Sequence, residues 1–282
     1  MKTAVVIIFV LLICLIVVSL VFLYMLKPNK NRDYSSFMGL HIAHRGLHGD
    51  GIPENSRAAF KRAVEENYGV ELDVQYTKDG KLVVFHDGTL SRMCKVDGKV
   101  SDYTYEELQN FKLINREGVV TEETIPMFDE VLEIIKDKPL VCEIKNQNGN
   151  KNDKLCSETY ELLKEYKGLY CIESFSPFLV QWFRINHPEV IRGQLSCDMK
   201  DEETLSPINR FMMTHLLINV FSRPDFLAYR HQDMNKFGFR VCKKIFKPLI
   251  IAWTARGPKE QESAWKKSDS VIFEKYENAN EQ

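Results

Sequence analysis

Residues 71–87 read ELDVQYTKDGKLVVFHD, two apolar runs joined by a Lys-Asp-Gly turn. The first run carries Glu71 and Asp73 two residues apart, and the second ends in His86 and Asp87. Side chains two apart on a strand share a face. Glu71 and Asp73 therefore point one way, while Leu72 and Val74 point the other. Gly80 supplies the positive φ that a tight turn favours. Acids at the ends of buried-looking strands need a setting that explains them.

Working outward, apolar runs alternate with amphipathic ones. LHIAHRG (40–46) reads as a strand. SRAAFKRAVEEN (56–67) reads as a helix, with Ser56 as N-cap and Ala59, Phe60, Ala63 and Val64 at helical spacing. TYEELQNF (104–111) and MFDEVLEIIKD (127–137) also read as helices, and the second precedes the strand PLVCEIKN (139–146). KLCSETYELLKEY then LYCIESF, and FLVQWFRINH then VIRGQLS, repeat the pattern; DFLAY, PLIIAWTA and SVIFEK close it. Repeated strand–helix alternation predicts a parallel sheet. The number of units and the 282-residue length favour a closed (β/α)₈ barrel, an α/β fold, over an open sheet. Nine strand candidates are one too many, so two form a hairpin-like pair or one lies outside the barrel.

The amino-terminal segment is different. Ala4 to Leu26 carries no charge and has Ser19 as its clearly polar residue. As a helix it spans roughly 34 Å, enough for a bilayer core of about 30 Å. A cleaved signal peptide has a shorter apolar core and small residues at the cut, whereas this run is longer and leads into Tyr24-Met25-Leu26-Lys27. The expected organisation is a transmembrane anchor over 1–27, a linker over 28–38 and a barrel domain over 39–282. Lys27, Lys30 and Arg32 after the span, against Lys2 before it, lean toward a cytoplasmic barrel. The seven cysteines lack CxxC spacing and lean the same way. A net charge of -1 gives no footprint for nucleic acid. Oligomeric state has no signature.

In such barrels the chemistry sits at the C-terminal ends of the strands. His44 ends the first strand candidate, Glu71 and Asp73 lie along the second, His86 ends the third, and Glu143 and Lys145 end PLVCEIK. Converging carboxylates repel unless a cation sits between them, and hard oxygen ligands suit Mg²⁺ or Ca²⁺. Two histidines suit general acid–base work near neutral pH. Arg45 and Lys145 add positive charge for a phosphate. The combination describes phosphodiester cleavage.

The chain resembles the glycerophosphodiester phosphodiesterase family. The matching pieces are AHRG (43–46), PENS (53–56), AAFKRAV, ELDVQYTKDGKLVVFHD, TLSR, EIK, Ser174-Phe175 and AWT (252–254). The resemblance implies hydrolysis of glycerophosphodiesters to sn-glycerol 3-phosphate and an alcohol. It implies Glu71, Asp73 and Glu143 as metal ligands, His44 and His86 as the acid–base pair, and Arg45 and Lys145 on phosphate. Glu54 and Asn55 would support the mouth, and Phe175 and Trp253 would wall the side that takes the glycerol carbons. Many members end in a strand closing with Thr-Asp; here Phe273 and Glu274 stand in its place. The 207–232 segment matches nothing in the common pattern and offers Asp225, Tyr229 and His231 as candidates for an alcohol pocket. Rival readings are a lysophospholipase D-like enzyme acting on membrane lipids and a barrel that only binds phosphate esters.

Overall fold

The computed structural model describes residues 2–29, 32–146 and 153–275. Its strands are β1 (His41–Ala43), β2 (Gly69–Tyr76), β3 (Leu82–Val84), β4 (Lys112–Ile114), β5 (Val120–Thr124), β6 (Leu140–Ile144), β7 (Tyr170–Ser174), β8 (Arg192–Ser196), β9 (Phe226–Arg230), β10 (Leu249–Arg256) and β11 (Ser270–Glu274). β1, β2 and β6 through β11 run parallel, and β1 pairs with both β2 and β11, which closes the ring. This is the expected (β/α)₈ barrel.

The surplus strand candidate is β3, which pairs antiparallel with β2 through Val74↔Val84, Gln75↔Val83 and Tyr76↔Leu82. KLVVFHD is thus the return arm of a hairpin, and His86 follows a strand outside the barrel rather than ending a barrel strand. The cause is the short connection: a parallel crossover needs about a dozen residues or more, and only 77–81 separate β2 from β3. β4 and β5 form a further hairpin that sequence reading did not anticipate. The insertion has its own small core of Val83, Phe85, Leu90, Leu108, Leu113 and Ile125. TYEELQNF contributes one helical turn, Tyr105–Leu108.

The first outer helix, Arg57–Glu65, starts as expected: the Ala59 N–H donates to Ser56 Oγ, and Ala59, Phe60 and Ala63 are buried. Gly46, at φ 76, precedes it, and a Cβ there would lie 2.9 Å from Ala59. Only glycine lets β1 hand over to this helix so closely.

The barrel interior explains where chemistry can sit. Inward-facing residues alternate along each strand. Ile42, Val141, Cys171, Ile251 and Ile272 belong to one buried apolar cluster with Phe226 and Phe37. Two residues further along the same strands stand His44, Glu143, Glu173, Trp253 and Glu274. The interior is therefore an apolar layer below and a polar layer above, at the C-terminal ends.

The helix Lys2–Leu26 is long and apolar enough to cross a membrane, by length and composition. Its last turn is packed on the barrel. Leu26 is fully buried, and its carbonyl accepts from Asn219 Nδ2 at 3.0 Å. Arg223 donates to the carbonyls of Tyr24 and Lys27, each at 2.7 Å. Within 28–38, the Asn29 N–H donates to the Pro224 carbonyl at 2.8 Å, and Phe37 is buried under the barrel. Lys30 and Asn31 lie outside the described residues.

Candidate active site

Glu71 and Asp73 rise side by side from β2, in register with Val141 and Glu143 of β6. All three carboxylates are buried, and each offers an oxygen within 4.8 Å of the others. Burial, with the charges of Asp73 and Glu143, pushes the Glu71 carboxyl well above its usual range. Burial pushes Glu143 up as well, against the pull of Lys145. Asp73 behaves oppositely: burial would raise it, but Lys145, His86 and Arg45 outweigh that and hold it well below. Lys145 Nζ bridges Asp73 Oδ1 at 2.8 Å and Glu143 Oε1 at 2.7 Å. An acid this disfavoured inside an all-oxygen cluster is the environment a divalent cation relieves. The donor set fits Mg²⁺ or Ca²⁺.

His44 approaches this cluster at Glu71, His86 acts on Asp73 and Glu143, and the two rings are held alike. His44 Nδ1 lies 2.8 Å from Glu274 Oε1. His86 Nδ1 lies 2.7 Å from Asp87 Oδ1. A carboxylate accepts, so in each ring Nδ1 carries a proton and Nε2 is the nitrogen left for proton exchange. His44 Nε2 lies 3.9 Å from Glu71 Oε2. Burial and the Arg45 charge lower His44 to about 4, against the opposing pull of Glu274. Glu274 itself, though buried, is held at about 2 by its bond to His44.

The supporting residues form one charged frame. Arg45 adopts φ 53, a left-handed conformation, and Asn55 adopts φ 52. Such backbone is costly for side chains other than glycine, and here both positions serve the acids. The Arg45 N–H donates to Glu71 at 2.9 Å, its guanidinium reaches Glu54 at 2.6 Å, and Asn55 Nδ2 donates to Asp73 at 2.8 Å. Arg92 ties Asp87 to Glu54 at 2.6 Å each. Burial would raise Glu54, but Arg92 and Arg45 hold it at about 2.

Phe175 and Trp253 meet edge to face, ring centroids 5.7 Å apart. The Trp253 Nε1–H is buried with no partner in the protein. The pairing with β11 shifts register between Ala252 and Ala255, around this tryptophan. Phe175 also lines a cavity of about 940 Å³ that begins at His86, Glu143 and Lys145.

All eleven residues singled out from the sequence thus fall in or around one mouth. The 207–232 candidates are engaged elsewhere, although His231 follows the C-terminal end of β9. Asp225 stands at the start of β9, at the opposite end of the barrel, against Arg192 and Asn29. Tyr229 is fully buried and donates to the Thr214 carbonyl at 2.7 Å. His231 pairs with Glu260 at 3.3 Å. Sequence reading gave no role to Glu274, Asp87, Arg92 or Glu173. Alternation would have found two of them, since Glu173 and Glu274 each stand two residues past an inward-facing apolar residue. Glu173 is buried, and burial beside Glu143 pushes its carboxyl well up.

The model of the glycerophosphoryl diester phosphodiesterase family matches residues 44–222. A glycerophosphodiester phosphodiesterase of Caldanaerobacter subterraneus is 46% identical over 112 residues, covering 39% of this chain and 46% of that one. A lysophospholipase D of Rattus norvegicus is 36% identical over 146 residues, covering 48% and 44%. The chain therefore spans less than half the length of these curated relatives. Among solved structures, an Oleispira antarctica phosphodiesterase in complex with the product sn-glycerol-3-phosphate superposes with a TM-score of 0.67 at 25% identity, covering 85% of this chain and 94% of that one. A glycerophosphodiester phosphodiesterase from Thermotoga maritima gives 0.62 at 28% identity, covering 83% and 94%.

Proposed function

The chain belongs to the glycerophosphoryl diester phosphodiesterase family, and from that premise we propose that it hydrolyses glycerophosphodiesters to sn-glycerol 3-phosphate and an alcohol. The observation that carries the reading is the pair of imidazoles, each backed by a carboxylate and each left with a free Nε2, flanking three buried acids. Glu71, Asp73 and Glu143 would hold a divalent cation, Mg²⁺ or Ca²⁺, which when bound draws charge from a phosphoryl oxygen. Arg45 and Lys145 add fixed positive charge beside the phosphate, and burial makes that charge count for more than it would in water.

The acid–base sequence follows from the two Nε2 atoms. One imidazole takes the proton of the substrate's glycerol 2-hydroxyl as its oxygen attacks phosphorus. The other enters the step as the imidazolium, protonated on both nitrogens, and gives its Nε2 proton to the departing alkoxide as the bond to phosphorus breaks. Water then opens the cyclic phosphate with the roles exchanged. Glu274 and Asp87 keep each ring in the tautomer and orientation this needs. Phe175 and Trp253 would face the glycerol carbons, and the unpaired Trp253 N–H would meet a substrate oxygen.

The helix 2–26 is read as an uncleaved membrane span, because its Leu26 end is built into the barrel's packing. Five buried cysteines that form no disulfide among the described residues are in keeping with a cytoplasmic barrel. The direct test uses the full chain in detergent with glycerophosphocholine, with Mg²⁺, with Ca²⁺ or with a chelator. Release of glycerol 3-phosphate that stops with the chelator is expected. A folded protein releasing none under any condition rules the reading out.

A further inference from the structure

The helix 2–26 is built into the barrel wall at its last turn. The final carbonyls of a helix lack partners within it, and here the wall supplies them. The Leu26 carbonyl accepts from Asn219 Nδ2 at 3.0 Å and from Cys242 Sγ at 3.5 Å. Arg223 donates to the Tyr24 and Lys27 carbonyls and lays its guanidinium 4.4 Å from the centre of the Tyr24 ring. Held from both sides, the helix leaves the barrel in one direction. The Asn29 N–H bonds to the Pro224 carbonyl, just ahead of β9 and so at the closed end. Phe22 packs its ring 5.6 Å from Phe237, which opens the helix following β9 and so stands at the level of the mouth. Between residues 29 and 22 the chain therefore climbs from the closed end to the mouth. Residues 2–21 run on beyond it for about 30 Å, the thickness of a bilayer core.

The rim on that side is apolar, and it is continuous with the helix. Ile208 and Phe211, on the helix Pro207–Thr214, are 72% and 55% exposed. Phe211 rests on His215 at 4.6 Å between ring centroids, and Gly238 packs so closely on His215 that a Cβ would lie 2.1 Å from its carbonyl oxygen. Next to Gly238 stands Phe237, 63% exposed and in contact with Phe22. On the other flank, the half-exposed rings of Phe178 and Phe221 lie 5.8 Å apart, and Phe221 belongs to the turn whose Asn219 holds Leu26. The closed end has exposed apolar side chains too, Ile185 and Ile245, but such residues standing singly are ordinary. The loop beside the rim exposes Lys200 against Asp201, Glu202 and Glu203, so charge does not draw this surface to acidic head groups.

We propose that this rim is a second membrane contact: Phe178, Ile208, Phe211, Phe221 and Phe237 insert into the boundary between head groups and acyl chains of the bilayer that the helix crosses, and the barrel rests with its mouth side against it. The proposal rests on the reading of 2–26 as an uncleaved span and is independent of the phosphodiesterase chemistry. Apolar side chains gain by leaving water. The helix has already brought these to the bilayer, so the patch binds at high effective concentration and need not hold a membrane alone. A flexible tether would let the barrel turn away; the bonds at Leu26 and Tyr24 keep it in place.

The test places the full chain in phosphatidylcholine nanodiscs whose lipid carries a photoactivatable diazirine on the acyl chain near the head group, and maps the adducts by peptide mass spectrometry. Adducts are expected on 2–21 and on the rim, about fivefold or more above Ile185 and Ile245, because an inserted face reaches about 5–10 Å into the boundary. They should persist in about 1 M salt, which screens charge and leaves apolar burial in place. The double variant Ile208→Asp, Phe211→Asp changes exposed positions where folding is least at risk. It is expected to lower the adducts at Phe178 and Phe221 about threefold or more, since interfacial binding scales with buried apolar area, while those on 2–21 stay. Adducts on 2–21 with a rim no higher than the closed end overturn the contact and keep the span; a disc holding two chains would then give the face to a second copy. Rim adducts that vanish in salt, or that the double variant leaves unchanged, overturn the contact as well. No adducts on 2–21 overturn the span reading, and the contact with it.

Discussion

The two halves of the mouth are built from different materials. The half supplied by residues 44–145 is polar and charged: Asp73 and Glu143 are paired with Lys145, Asp73 also with Arg45 and Asn55, and Glu71 accepts from the Arg45 backbone N–H. The half supplied by residues 175–253 is apolar, with Phe175, Phe178, Met212, Met213, Phe221 and Trp253. The first half must fix atoms to within tenths of an ångström, because charge interactions inside protein fall steeply when geometry slips. The second half needs only shape and dryness. Damage to the ionic half should therefore stop the reaction, and damage to the apolar half should change which molecule reacts.

The sharpest form of that contrast lies at the histidines. His44→Ala and His86→Ala are each expected to cut turnover by about 10²–10⁴-fold, the usual worth of general acid–base catalysis. Steady-state rates on variants checked for folding by circular dichroism decide it. A folded variant with near-normal turnover removes that histidine from the chemistry. One step out, Asp87→Ala and Glu274→Ala are expected to cost less, about 10–100-fold, the range seen when a carboxylate that orients an imidazole is lost. The effect should fall on kcat, since neither carboxylate is placed to touch substrate. A loss confined to KM would reassign them as substrate contacts.

The same division governs what could be read from the sequence. Glu71, Asp73 and Glu143 were legible because alternation puts them on one face of strands whose other face is apolar, and the barrel follows from the recurring strand–helix units. His86 was legible as a residue but not in its position, because the hairpin between β2 and β3 is set by a turn that a periodic pattern does not distinguish from a strand break. Glu274 was visible only as a departure, since its meaning depends on β11 lying beside β1, a pairing between residues 230 positions apart. The apolar wall was the least legible. Methionine and phenylalanine on the helix Pro207–Thr214 look like ordinary packing until the fold places that helix over the mouth. Asp225, Tyr229 and His231, the polar residues of that region, drew attention and proved to be held at the closed end or tied to neighbouring backbone and side chains.

Trp253 sits where the two halves meet and gives the smallest and most discriminating measurement. Its ring packs against Phe175, as the apolar half requires, while its Nε1–H is buried and unpaired, a polar atom waiting in an otherwise dry wall. Buried donors without partners are rare and costly. A ligand oxygen that completes this one would recover about 0.5–1.5 kcal/mol, the net worth of a hydrogen bond. Trp253→Phe keeps most of the apolar surface and deletes the donor. The expected result is a loss of about 2–10-fold in kcat/KM on glycerophosphocholine, with folding stability unchanged or slightly raised, because an unsatisfied buried group has been removed. A more stable protein with undiminished kcat/KM would make Trp253 a wall and nothing more. A loss in activity alongside unimpaired stability would mark it as the point where the apolar half of the mouth reads the substrate's oxygens.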